Sequence, residues 1–310
     1  MKSAVAFIVF NRPECTARTL AAIRQARPPR LLVIADGPRE HRPDDTEKCA
    51  AVRKLINDGV DWPCKVELNY EVQNLGCAAR VSSGLTWAFS RSEELIVVED
   101  DCLPDPSFFW FCDELLGKYA EDARVGQICG CLRYFDQIER PTSYIFSRYG
   151  PIWGWASWRR AWSSYDLKIS SWPKLRACGG LRAVTQGEAE MALRTSLYDR
   201  LHTHTPDTWD FQWGYAKLSQ GMMSVMPCKN LVENIGFGAD GTHTTSNDEG
   251  GLKRLRVNAP IVHPEFVLPD LEFDRAYAGR FTTEGSPSIW RRAVRKFRKI
   301  TTPSRKPMLR

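Results

Sequence analysis

Leu95-Ile96-Val97-Val98-Glu99-Asp100-Asp101-Cys102-Leu103-Pro104 decides how this chain is read. Its apolar, β-branched start predicts a strand buried on both faces, and the three carboxylates fall where a parallel strand reaches the carboxyl edge of its sheet. That edge is where open α/β sheets bind ligands. Three adjacent negative charges repel unless a cation or a row of hydrogen-bond donors meets them. Hard oxygen ligands suit Mg²⁺ or Mn²⁺, which usually complete their coordination with phosphate and water. The stretch therefore predicts a metal and diphosphate site, against the plainer alternative of an acidic strand end facing solvent.

Working outward, the residues before this strand repeat one pattern. Ala4 to Phe10 reads as a strand, Asn11-Arg12-Pro13-Glu14 as a turn into a helix through about Gln25, and Leu31 to Ala35 as a second strand ending at Asp36-Gly37-Pro38. A helix from about Asp45 to Asn57 and a strand near Val66 to Glu71 follow. Gln73-Asn74-Leu75-Gly76-Cys77-Ala78-Ala79-Arg80 then opens a helix to about Phe89. The order β-α-β-α-β-α-β predicts an α/β fold with a parallel, doubly wound sheet. Asp36 either presents its oxygens to a ligand or makes an ordinary turn with Gly37 and Pro38. Asn74 and Gly76 suit a tight turn at a helix start, where backbone N–H groups and the Arg80 guanidinium would hold phosphate; the alternative is a capped helix with a surface arginine.

Downstream, Phe108 to Tyr119 predicts an aromatic amphipathic helix, and Arg124 to Leu132 a strand. Residues 149–162 hold four of the eleven tryptophans. Trp158 and Trp162, four apart, read as core, whereas Trp153 and Trp155 are candidates for lining a pocket. Glu188 to Leu201 is helix-like. Asp207-Thr208-Trp209-Asp210 begins a helix through Leu218, with Asp207 or Asp210 as its cap, or with Asp210 as a general base between large rings. Met222 to Pro227 is a last strand, and Asn234 to His243 a glycine-rich loop ending in an imidazole. His202 and His204 stay unassigned.

With 43% hydrophobic and 26% charged residues, the composition is that of a soluble globular protein, with no apolar run long enough to span a bilayer. Ten scattered cysteines, none in a CxxC pair, argue against a zinc site or a disulfide framework and suit reduced thiols in a cytoplasmic setting. From Ile289 to Arg310 there are nine Lys or Arg and no acid, so the net charge of +6 becomes −3 once they are set aside. An acidic remainder excludes an extended nucleic-acid surface. The tail places Ile289, Trp290, Ala293, Val294, Phe297 and Ile300 at helical spacing between basic residues, a pattern suited to an anionic membrane surface.

Taken in order, these pieces resemble nucleotide-sugar glycosyltransferases of the GT-A fold across about Ser3 to Thr245. Phe10-Asn11-Arg12-Pro13, Asp36-Gly37 and Asn74-Leu75-Gly76 are similar to the bacterial family-2 enzymes. Val98-Glu99-Asp100-Asp101, Pro106-Ser107-Phe108-Phe109, Trp153-Gly154-Trp155, Trp209-Asp210, Gly238 to Gly241 and His243 are similar to the N-acetylglucosaminyltransferase I type. The resemblance implies a domain over 1–284, with a nucleotide-binding half to about 105 and an acceptor half beyond it, followed by the tail 285–310.

It also implies a Rossmann-like sheet and a metal-dependent, inverting hexosyl transfer from a nucleotide-diphosphate sugar, UDP-linked by preference, to a glycan or lipid-linked acceptor in surface polysaccharide synthesis. Asn11, Arg12, Asp36, Asn74, Arg80, Glu99 and Asp100 would hold the donor, with Asp36 on uracil and Arg80 on phosphate. Asp101, with His243, would bind Mn²⁺ or Mg²⁺, Asp210 would be the base, and Trp153, Trp155 and Trp209 would line the sugar pocket. The expected place is the cytoplasm, peripheral to the inner face of the membrane. A sugar nucleotidyltransferase and a non-catalytic carbohydrate-binding protein are the rival classes.

Overall fold

The structure, a computed structural model, describes residues 1–204, 207–236 and 252–284. The first strand, β1 (Ala4–Val9), is followed by α1 (Pro13–Ala26), β2 (Arg30–Ala35), α2 (Pro43–Gly59), β3 (Lys65–Tyr70), α3 (Cys77–Arg91) and β4 (Glu94–Glu99). Pro13 opens α1 where its missing N–H costs nothing and its fixed φ suits the helix. Then come β5 (Cys102–Pro104), α4 (Pro106–Lys118), β6 (Val125–Cys129), β7 (Tyr144–Ser147), β8 (Trp155–Trp158) and the short α5 (Arg159–Trp162). The chain continues through α6 (Trp172–Ala177), α7 (Glu188–Thr203), α8 (Asp210–Ser219), β9 (Met223–Pro227), β10 (Val232–Asn234) and α9 (Leu271–Glu284).

Eight strands form one sheet in the order β3-β2-β1-β4-β8-β6-β9-β7, and β5 pairs with β10 beside it. The pairs β2·β3, β1·β2 and β1·β4 are parallel, as is β6·β9, while β8 runs antiparallel to both β4 and β6. This is the expected mixed α/β architecture with a mostly parallel central sheet. Alternation along the strands fills both faces: Val5, Phe7, Val9, Ile96 and Val98 pack with α1, α2 and α4, whereas Ala4, Ala6, Ile8, Leu95 and Val97 pack with α3 and a tryptophan cluster. A separate apolar cluster joins α6, α7 and α8 around Trp172, Tyr198 and Tyr215.

The order 3-2-1-4 places the topological switch between β1 and β4, since the chain builds outward from β1 on one side and then crosses to the other. The residues just past these two strands are Phe10 to Arg12 and Asp100 to Asp101. No helix among the described residues is long and apolar enough to cross a membrane. The ten cysteines are free thiols, six of them buried.

Candidate functional site

At the switch point the backbone N–H of Phe10 donates to Asp100 Oδ2 at 3.2 Å, and Thr19 Oγ1 donates to the Asp100 carbonyl at 2.9 Å. Arg12 bridges the two aspartates: its Nη1 lies 2.6 Å from Asp101 Oδ2 and 3.4 Å from Asp100 Oδ1. The cation demanded by the acidic run is thus supplied in part by the chain itself. One guanidinium does not compensate three carboxylates. Burial, then Asp101, pushes Asp100 up to about 7. Burial, then Asp101, Asp100 and Asp210, raises Glu99 well above the usual carboxylate range.

Asp210 therefore lies near Glu99 although it stands 109 positions after Asp101 in the sequence. It stands at the first position of α8, and Thr208 Oγ1 donates to its Oδ1. The Cys77 thiol marks the same convergence from the side of α3, being raised by burial and by Glu99, Asp207, Asp210 and Asp36. Asp207 does not cap α8. Its Oδ1 accepts from the backbone N–H of Ala78 at 2.7 Å, capping α3 instead.

Asp101 faces the last described residues before the glycine-rich loop. Its carbonyl accepts from Ile235 N at 2.8 Å, and a Cβ on Gly236 would fall 2.3 Å from its Oδ2, so only glycine fits without moving that carboxylate. Gly238, Gly241 and His243, like the tail 285–310, lie outside the described residues. No three His, Cys, Asp or Glu among the described residues form a metal site by themselves. A hard cation bound together with phosphate needs only one or two protein carboxylates, however. Asp101 fits that lesser demand: its side chain keeps 19% of its exposure, and among the described residues its Oδ1 meets the Cys102 thiol at 3.6 Å.

Several expected ligand contacts are corrected. Asp36 is buried, and its carboxylate accepts from Gly37 N and Leu75 N on one oxygen and from Gly76 N and Asn74 Nδ2 on the other, all within 2.9 to 3.0 Å. Four acceptor positions are thus filled, leaving none for a base. Asn74 serves this same knot and also donates to the Gly37 carbonyl. A Cβ on Gly37 would meet Val72 O at 2.4 Å, so close backbone approach requires glycine there.

Arg80 is buried, and its Nε and Nη2 donate to the Ala35 carbonyl at 3.1 Å, the Asn69 carbonyl at 2.5 Å and the Asn69 side chain. Trp155 is fully buried because β8 inserts between β4 and β6. It packs against Trp209 at 5.9 Å, Trp213 at 5.5 Å and Trp162 at 6.2 Å. Trp155 and Trp209 are core, not pocket. Trp153 is half-buried, with the Arg133 guanidinium 5.4 Å from its ring centroid.

Asn11 donates to the buried Asp45 at 2.7 Å, and Arg39 forks onto the same carboxylate at 2.6 and 3.0 Å while stacking over Phe10. Arg39, Asp45, Cys77 and the capping role of Asp207 were not found from the sequence. Asp45 carried a signal, an acid in the first turn of a helix, but nothing local shows that Arg39 folds back onto it.

No protein-family model matches the chain, and no curated protein matches its sequence. Among solved structures it is similar to the mannosyltransferase PcManGT from Pyrobaculum calidifontis in complex with GDP-Man and Mn²⁺, with a TM-score of 0.43, 14% identity, and cover of 78% of this chain and 59% of that one. It is also similar to residues 1–349 of S. aureus TarS in complex with UDP-GlcNAc, with a TM-score of 0.36, 10% identity, and cover of 55% and 50%. A UDP-glucose pyrophosphorylase complexed with UDP-glucose gives a TM-score of 0.32 at 9% identity, over 53% of this chain and 79% of that one. The chain spans about three fifths of the mannosyltransferase structure it matches. Scores and identities this low carry nothing about chemistry.

Proposed function

We propose that the chain transfers a sugar from a nucleotide-diphosphate donor to an acceptor hydroxyl, with Asp210 as general base. The observation that supports this most directly is that Asp210, from α8, lies close enough to raise Glu99 at the end of β4, beside the switch between β1 and β4. A solvated acidic patch would have no need to draw a partly buried carboxylate from α8 toward Glu99.

The roles follow from the contacts. Thr208 Oγ1 holds one oxygen of Asp210, leaving the other to take the acceptor's proton. Glu99, whose affinity for a proton is raised by burial and its acidic neighbours, faces the donor sugar. Asp101 with the donor's phosphates would hold Mn²⁺ or Mg²⁺, which supplies Lewis acidity toward the departing diphosphate. Arg12 steadies Asp100 and Asp101. A base opposite the leaving group gives inversion at the anomeric carbon. The finer reading keeps a UDP-sugar, a glycan or lipid-linked acceptor of bacterial surface polysaccharide, and an inner-membrane surface met by the basic tail. Since Asp36 has no open acceptor, the nucleotide base is decided by calorimetry with UDP and GDP in the presence of Mn²⁺.

Asp210→Asn separates binding from chemistry. Nucleotide binding is expected to be unchanged while transfer drops by about two powers of ten or more, the usual general-base contribution. Undiminished transfer in that variant contradicts the assignment.

A further inference from the structure

Gly76 precedes the first residue of α3 with φ at +81° and no side chain to offer the helix's leading amides. The cap comes instead from Asp207, whose Oδ1 accepts from Ala78 N at 2.7 Å across 129 positions of sequence. A Cβ at Gly76 would stand 3.1 Å from that same oxygen, so the missing side chain is what lets the carboxylate in. Behind Gly76, Asp36 holds the turn from the other side through Gly76 N at 3.0 Å. The segment after Asp207 is fixed as well: Tyr165 Oη donates to the Trp209 carbonyl at 3.2 Å, and Gln212 Nε2 to the Thr208 carbonyl at 2.8 Å.

We propose that Asp207 is a positioning residue, tying the start of α8 to the amino end of α3 and so setting Asp210 against Glu99. The tether joins the turn fixed by Asp36 to the helix carrying Asp210. Its negative charge also meets the partial positive charge of α3's amino end, which strengthens the single hydrogen bond. The proposal depends on the transfer reading only for the role given to Asp210.

The test uses the full chain. In Asp207→Ala, backbone amide exchange over 207–213 is expected to quicken about five- to tenfold, the loss typical of a removed cap, while peptides covering β1 and β4 keep their protection. Asp207→Asn retains an acceptor oxygen and is expected to restore most of it. Ala78→Pro removes the donor from the first helical turn, where proline is tolerated, without touching Asp207. It should loosen the same segment, and the double variant should be no worse than either single one. Turnover of UDP- and GDP-sugars should fall with the tether, in kcat rather than in nucleotide affinity. Unchanged exchange at 207–213 in both Asp207→Ala and Ala78→Pro, or failure of Asp207→Asn to rescue, overturns the tether. A wild-type chain that turns over no nucleotide sugar yet shows the exchange pattern supports the tether and breaks the transfer reading.

Discussion

Two sets of carboxylates lie near the carboxyl edge of the sheet, and they differ in how many donors they receive, although burial raises Asp36 of the first set as well. Beyond β2, Asp36 receives four N–H donors, and Asp45 receives Arg39 and Asn11, which with backbone help hold it down to about 2. Beyond β4, Asp100 and Asp101 share the Arg12 bridge, and burial pushes Glu99 and Asp100 upward. Residue type does not distinguish the sets; the number of donors does. The carboxylates with several donors brace the rim, whereas those at the end of β4 are left with fewer partners and a raised affinity for protons.

The largest expected effect falls on the second set. Asp101→Ala should bring transfer down to background and remove the dependence of nucleotide binding on Mn²⁺, read by calorimetry with and without the ion; an unaltered response would erase the distinction between the sets. Asp45→Asn should act on folding instead. Loss of its charge-assisted bonds is expected to lower stability by about 2 kcal/mol in urea unfolding, with nucleotide affinity retained by the folded fraction. The smallest effect is a pH dependence. Asp100 binds its proton more tightly folded, up to about 7, than unfolded, near the ordinary value of about 3.9. Between these values the native state holds more protons, so ligand-free stability should fall as pH rises through the window and reach its floor above it. Asp100→Asn should flatten that slope in melting curves, and a slope of the opposite sign would mean that Arg12 compensates the cluster fully.

The first hundred residues were legible because local pattern and tertiary role agree there. β1, β2, β3 and β4 fall within a residue or so of their expected limits. Buried parallel strands are continuous apolar runs, and Pro13 and Gly76 mark helix starts. Legibility fell at residues 149–162, where tryptophans four apart suit a helix as well as a core. The structure makes a strand of Trp155–Trp158, because hydrogen bonds to β4 and β6 override spacing. β7 and β10, only four and three residues long, are too short for periodicity to register. At the candidate site, the acidic stretch and Asp210 stand out by residue type and order alone. The duties of Asp36, Arg80 and Asp207 were not legible there, since each depends on a partner 39 or more positions away or on a shared acceptor whose other donors cannot be counted in a linear chain.

The insertion of β8 between β4 and β6 also governs how the chain can be divided. A cut near residue 105, between the strand that ends in acids and everything after it, would strip Leu95, Ile96 and Val97 of their antiparallel partners and bare a flat apolar edge of the kind that self-associates. Residues on either side of position 105 are therefore stitched into one sheet through the pairing of β4 with β8.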